Sequence, residues 1–317
     1  DQMGSDLDGE AENDRSGWDV SIDANGKRIA IGASLNDGNG SNSGHTRVFE
    51  WNGSAWVQMG SDIDGESGNV RSGYSVSINS SGDRVAIGAW YASDGSGDRT
   101  GHARVFEWDG SAWAQLGSDI DGEAASDYSG WDVSLDSDGD RVAIGAIYND
   151  ATGENAGHVR VHEWNGSAWA QLGSDIDGEA AGDRFGESVD LDADGNRVAI
   201  GAPYNQGAGS EAGHVRVYEW NGSSWSQLGS DFDAEASGDR FGSSVSLNAN
   251  GDRLVAGAEL NDGNGSSAGH TRIFSWDGSS WSQLGSDLDG EASGDKFGYS
   301  VDIDSDGDRV AIGAYDN

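Results

Sequence analysis

The 317-residue chain is expected to be all-β: a propeller of four-stranded antiparallel blades. Three features lead there. A unit of about 56 residues recurs six times, each unit alternates polar and apolar residues with period two, and Asn-Gly or Asp-Gly pairs stand between the alternating runs. The hairpin "EWNGSAW" at 50–56 returns with small changes, so that its first tryptophan falls at Trp51, Trp108, Trp164, Trp220 and Trp276. A "GSD" triplet starts the units near Gly4, Gly60, Gly117, Gly173, Gly229 and Gly285.

The elements follow in order within the unit 173–228. "ESVDL" alternates as a half-buried strand a should. The turn "DADGN" leads into the apolar strand b, "RVAIGA". A variable loop, "PYNQGAGSEAG", precedes strand c, "HVRVYEW", and an Asn-Gly turn joins it to strand d, "SSWSQLG". No segment has a helical period, and the 52 glycines argue against one. A solenoid usually has a shorter rung, and a sandwich has no need of near-identical units. Copy six supplies only strands a and b before "VAIGAYDN", and the opening "DQMGSD" matches only the end of strand d. The expectation is one propeller domain over 1–317, which either closes a ring with one thin blade or is a piece of a longer array.

Composition narrows the function. With 13 Trp in a chain only 35% hydrophobic, the glycines mark turns and not disorder. A net charge of −38 repels nucleic acid and anionic membranes and attracts cations or basic partners. No run approaches the ~18 apolar residues of a membrane span. The absence of cysteine excludes thiolate catalysis and Cys-ligated zinc. The start lacks both a Met and an apolar leader, so any signal peptide is expected to have been removed or not included.

Copy four reads "RFGESVDLDADGNRVAIGAPYN", with Phe185-Gly186 opening strand a and Gly201-Ala202-Pro203 closing strand b. This resembles the FG-GAP repeat of integrin α-type propellers. Copies five and six keep Phe241-Gly242 and Phe297-Gly298, whereas copies one to three have Ser16, Ser72 and Ser129. The resemblance implies a propeller on extracellular or cell-surface proteins that bind other macromolecules, often with calcium in the a–b hairpin. Here that hairpin reads Asp190, Asp192, Asp194, Gly195 and then Arg197 where a final carboxylate would stand. A plain turn is the simpler reading of it.

The second acidic element is the linker from strand d to the next strand a, which carries Asp-x-Asp-x-Glu and usually an Asp four residues on. The candidate metal ligands are Asp175, Asp177, Glu179 and Asp183; Asp231, Asp233, Glu235 and Asp239; and Asp287, Asp289, Glu291 and Asp295. Ca²⁺ takes six to eight oxygens, which a Gly-containing acidic loop can offer. The alternative is that these carboxylates cap turn amides or pair with the basic residue before strand a. His45, His102, His158, His214 and His270 recur at the start of strand c and read as strand-edge hydrogen-bonding residues. Arginines fixed at repeat positions read as partners of neighbouring carboxylates. The hairpin tryptophans read as packing, while Trp18, Trp90 and Trp131 break the repeat.

The linkers and the b–c loops leave a blade on the same face, and the b–c loops differ most between copies. That face is where a protein or glycan partner is expected. Because no copy departs sharply from the others in polar residues, no catalytic site is expected. The function read from sequence is therefore a non-enzymatic, extracellular or cell-surface propeller for adhesion, with Ca²⁺ as its cofactor. The alternatives are a self-assembling subunit of an extracellular appendage and a carbohydrate-binding propeller.

Overall fold

The computed structural model describes residues 2–93 and 98–317, and every regular element among them is a β-strand. In the first copy these are β1 (Ser16–Ile22), β2 (Arg28–Ala33), β3 (His45–Trp51), β4 (Trp56–Gln58) and β5 (Ile63–Asp64). They form one antiparallel sheet in the order β1-β2-β3-β4, with β5 also pairing with β3. The expected strand d is β4, and after a break a short second segment, β5, forms in the stretch expected to be linker. The break falls at Gly60, whose φ is +72°. A Cβ there would lie 2.9 Å from the Trp108 ring of the next copy, so the constant glycine of "GSD" makes room for a neighbour's tryptophan.

The chain divides into two compact units, 1–146 with 162–170, and 147–161 with 171–317. The first unit holds the sheets of copies one and two and the a–b hairpin of copy three, Ser129–Leu135 with Arg141–Ala146. The second holds the sheets of copies four and five and the a–b hairpin of copy six, Phe297–Ile303 with Val310–Ala314. In copy four the strands are Ser188–Leu191, Arg197–Ala202, His214–Trp220, Trp225–Gln227 and Phe232–Asp233, in the same order as the first copy.

Strand b is a continuous apolar run because both its faces are covered. Val85 and Ile87 pack with Ala30, Val48 and Val76 on one side, while Ala86 packs with Val133 and Leu135 on the other. The backbones nearly touch at the "GA" glycine, where a Cβ on Gly88 would run into the Gly130 carbonyl oxygen. Two polar contacts per repeat pin adjacent copies. The Trp113 indole donates to the Met59 carbonyl at 2.9 Å and that of Trp281 to Leu228 at 2.9 Å. Arg197 at the start of strand b pairs with Glu219 at 2.8 Å and donates to the Gly251 carbonyl of copy five at 3.0 Å. The first copy differs in one respect: Val20 and Ile22 on β1 are 54% and 52% exposed, where Val76 and Ile78 of copy two are buried. In copy two those side chains are covered by the copy that precedes them.

Candidate active site and metal groups

Two repeat positions vary beside constant glycines: the residue after the Gly that opens strand a, and the residue after the "GA" that closes strand b. At the first stand Trp18, Tyr74, Trp131, Glu187, Ser243 and Tyr299; at the second stand Ser34, Trp90, Ile147, Pro203, Glu259 and Tyr315. In the first unit they make an aromatic cluster. Tyr74 touches the rings of Trp18, Trp90 and Trp131 at 5.7, 5.6 and 4.9 Å, and the Arg71 guanidinium lies 4.8 Å over Trp90.

In the second unit two of these positions, Glu187 and Glu259, are acidic. Phe185 is fully buried, Gly186 has a φ of +93°, and the Glu187 amide closes a turn on the Arg184 carbonyl at 3.2 Å. Arg184 and Arg240 themselves have φ of +52° and +55°, a left-handed backbone that is costly for a residue with a Cβ. It carries both guanidinia to Tyr204, whose ring lies 4.0 Å from Arg184 and 4.8 Å from Arg240. Arg240 also binds Glu211 of the b–c loop at 2.9 Å and faces Glu259 at 3.9 Å. Glu187 stands among these groups with its Oε2 buried and without a hydrogen-bond partner. Burial, with Glu259 beside it, pushes its carboxyl up to about 7 against the pull of the two arginines. Burial raises Glu259 as well, against the pull of Arg240 and Lys296. A carboxyl that titrates near neutrality can both take up and deliver a proton.

The linker carboxylates are sorted differently from their order in sequence. Asp183, Asp239 and Asp295 are buried turn caps that accept the amides of Ala180, Ala236 and Ala292 at 3.1, 2.9 and 2.8 Å. Asp183 and Asp239 also accept the side-chain amides of Asn205 and Asn261. Asp177, Asp233 and Asp289 lie on the short second piece of strand d, opposite His158, His214 and His270. The remaining carboxylates gather across copies: Glu179 with Asp231 around His214, and Glu235 with Asp287 around His270. Glu10 with Asp62 around His45 and Glu66 with Asp119 around His102 match them in the first unit. Within each group the three ligand atoms lie within 4.8 Å of one another, close enough to hold a metal ion. Asp175 accepts Gln171 at 2.6 Å and acts on His158. Glu291 joins no such group among the described residues, since copy six has no strand c to give it a histidine.

His45 is not the hydrogen-bonded edge residue read from the sequence: both its ring nitrogens are buried without partners, and so is Nε2 of His102, His214 and His270. Burial pushes His102 down to about 4 and lowers His214 and His270, so these imidazoles are neutral at pH 7. The a–b hairpin does not fit calcium: Asp192 Oδ1 accepts the amides of Asn196 and Arg197 at 2.8 and 2.9 Å, and Arg197 occupies the neighbouring position. It is a turn closed by its own carboxylate.

Residues 7–49, 176–218 and 233–274 match the FG-GAP repeat family, so the chain carries FG-GAP repeats, copy one included despite its Ser16. No curated protein sequence matches it. Among solved structures it is similar to the hydrazine synthase of Kuenenia stuttgartiensis, with TM-score 0.59 and 11% identity over 99% of this chain and 77% of that one. It is also similar to the periplasmic gluconolactonase PpgL of Pseudomonas aeruginosa, with TM-score 0.58 and 13% identity over 93% and 77%. A candidate 6-phosphogluconolactonase of Bacteroides uniformis gives TM-score 0.51 and 9% identity over 86% and 85%. The fold is the all-β propeller of four-stranded blades.

The expectation of a non-enzymatic adhesion protein, appendage subunit or lectin is corrected by these findings. The fold is one that proteins named as lactonases and a synthase share. The premise that no copy departs from the others also fails, at Glu187 and Glu259. The departure escaped notice because it consists of single residues in two otherwise constant frames.

Proposed function

We propose that this FG-GAP repeat chain is a hydrolase of small esters or lactones, with Glu187 as its acid–base group. The observation behind the reading is a carboxyl found at this position in one copy alone, held near neutrality and flanked by two guanidinium groups. In the reaction the Glu187 carboxylate takes a proton from water as its oxygen bonds to the substrate carbonyl carbon. Arg184 and Arg240 offset the charge that develops on the carbonyl oxygen. The ester C–O bond then breaks, and Glu187 returns the proton to the departing alkoxide, leaving an acid and an alcohol, which from a lactone are one hydroxy acid. The lactonase names among the structural neighbours support this substrate class by analogy of fold alone.

Glu211 brings the variable b–c loop of copy four to the site, so the face expected to meet a partner is here the face that meets substrate. A metal ion at the Glu–His–Asp groups stands apart from this chemistry, because none of their residues acts on Glu187. Their oxygens suit calcium and their imidazole does not, so the histidine decides the ion. The acidic surface and the likeness to a periplasmic enzyme favour work outside the cytoplasm.

The test is pH-stat hydrolysis of a panel of aldonolactones and simple esters. Turnover with an inflection near pH 7, reduced about 10²–10⁴-fold in Glu187→Gln, is the expected result. No turnover across the panel, or an unimpaired variant, overturns the reading.

A further inference from the structure

Copies one and four hold the same three groups in two different states of charge pairing. In copy one, Nδ1 of His45 stands 3.9 Å from Glu10 and 3.8 Å from Asp62, beyond hydrogen-bonding length. His45 is 1% exposed, and neither ring nitrogen has a partner. An imidazole carries at least one N–H in either tautomer, so a buried donor is left without an acceptor and a buried lone pair without a donor. The cation nearest in sequence gives no relief. Arg47 turns away to donate to the Asp8 carbonyl at 2.7 Å, with its guanidinium 5.4 Å over the Phe49 ring.

Copy four has Tyr218 where copy one has Phe49, and there the arginine swings inward. Arg216 donates to both oxygens of Asp231 at 2.9 and 3.0 Å, pairs with Glu179, and meets the Tyr218 hydroxyl. In copies two and five Phe106 and Phe274 lie under Arg104 and Arg272, whose guanidinia donate to the carbonyls of Asp64 and Asp233, although Arg104 also stands 3.8 Å from Glu66. The two carboxylates have a close cation of their own in copy four, and in copies one and five they have none.

We propose that Glu10, His45 and Asp62 bind a divalent transition metal of the zinc class. The corresponding group around His270 does the same, and in copy four Arg216 takes the metal's place. Tetrahedral bonds of about 2.0–2.1 Å put ligand atoms roughly 3.3 Å apart, so each carboxylate needs to approach the His45 nitrogen by only about half an ångström. One imidazole with two carboxylates selects zinc or a neighbouring transition metal over calcium, which seeks six to eight oxygens. Each aspartate is already oriented for the task. Gln58 holds Asp62 Oδ1 at 2.7 Å, leaving Oδ2, the atom that faces His45, free to ligate. Gln115 and Gln283 hold Asp119 and Asp287 in the same way. The bound ion ties the linker that enters a copy to the linker that leaves it. This inference is independent of the hydrolase reading.

The experiment uses the whole chain after chelation and dialysis. Zn²⁺, Ca²⁺ and Mg²⁺ are titrated separately by calorimetry with Tm measured for each, and Co²⁺ is followed by visible absorption. Zn²⁺ is expected to saturate and raise Tm, Ca²⁺ at the same concentration to leave Tm unchanged, and Co²⁺ to develop the bands of a tetrahedral site. The double variant Glu10→Gln/Asp62→Asn alters two side chains outside the core and loses one equivalent of Zn²⁺. His45→Asn loses the same equivalent, Glu179→Gln loses none, and Arg216→Met gains one. Unchanged stoichiometry in the double variant overturns the proposal even if His45→Asn fails to fold. So does Ca²⁺ matching Zn²⁺, or Zn²⁺ uptake that never saturates, which would mark surface carboxylates only.

Discussion

Replacing Glu187 by Gln should make the protein more stable in alkaline solution and leave it nearly unchanged in acid. The carboxyl rises from its ordinary 4.5 to about 7, chiefly through burial. A carboxyl raised in the folded state contributes its stability below the unfolded value; that contribution is lost as pH climbs through the folded one. Between pH 4.5 and 7 the native protein must therefore lose stability on account of this group, and above 7 the loss is complete. At about 1.4 kcal/mol for each tenfold change in proton affinity, the loss comes to about 3 kcal/mol. That figure is an upper bound, because Oε2 is sealed from solvent while the residue as a whole is only half-buried. Glutamine keeps the shape of the protonated acid and cannot ionise. Urea unfolding of both proteins at pH 4, 6 and 8 measures the difference directly. Asp19 and Asp136, which burial also raises to about 7, titrate in both proteins and cancel. The variant's advantage should grow from near zero at pH 4 to 2–3 kcal/mol at pH 8, roughly. A difference that stays flat with pH would mean that Glu187 ionises freely, and the acid–base role would fall with it.

Three further tests probe the repeat. Gly88→Ala places a methyl against the Gly130 carbonyl, whereas Gly110→Ala, at a φ of +98°, meets nothing within 4 Å. The second should cost about 1 kcal/mol of backbone strain and the first clearly more; equal costs by urea unfolding would deny that the sheets touch at this glycine. Trp113→Phe keeps the ring packing and removes the donor to Met59, for an expected loss of about 1 kcal/mol; an unchanged midpoint would mean that water replaces the indole. Arg197→Met should cost more than Glu219→Gln, because only the arginine reaches the Gly251 carbonyl while its half-exposed partner contributes no more than about 1 kcal/mol; the reverse order would place the energy in the ion pair.

The fold was legible because each of its requirements recurs. The Gly that admits a neighbour's Trp, the Arg that reaches the next copy's turn, and the strand b apolar on both faces are each written at the 56-residue spacing. The break in strand d was not legible, because Trp56 to Asp64 reads as a strand running into a linker. Only the folded neighbour shows that the Gly60 position must lack a Cβ, because Trp108, one repeat away, lies against it. The histidines show a different limit. Their spacing marks strand c, but it does not say which way the arginine two residues on is turned: Arg47 donates to the Asp8 carbonyl, whereas Arg216 donates to Asp231.

Repetition itself concealed the candidate active site. A residue present in every copy answers to packing, since the packing problem is the same each time. Residues that differ between copies answer to something a single copy does. By that logic the informative positions are those that follow the glycine of strand a and the "GA" of strand b. Each lies at the mouth of a buried frame, fixed by Phe185, Gly186, Gly201 and Ala202 in copy four, and each is free to change without disturbing the sheet. Glu187 and Glu259 occupy such positions, and burial raises both carboxyls against the pull of the nearby cations. The constant frame makes the perturbation possible, because a carboxyl on a looser element would turn to solvent and titrate normally. Chemistry in a repeat fold of this kind is therefore to be sought where the period fails inside a frame that keeps it.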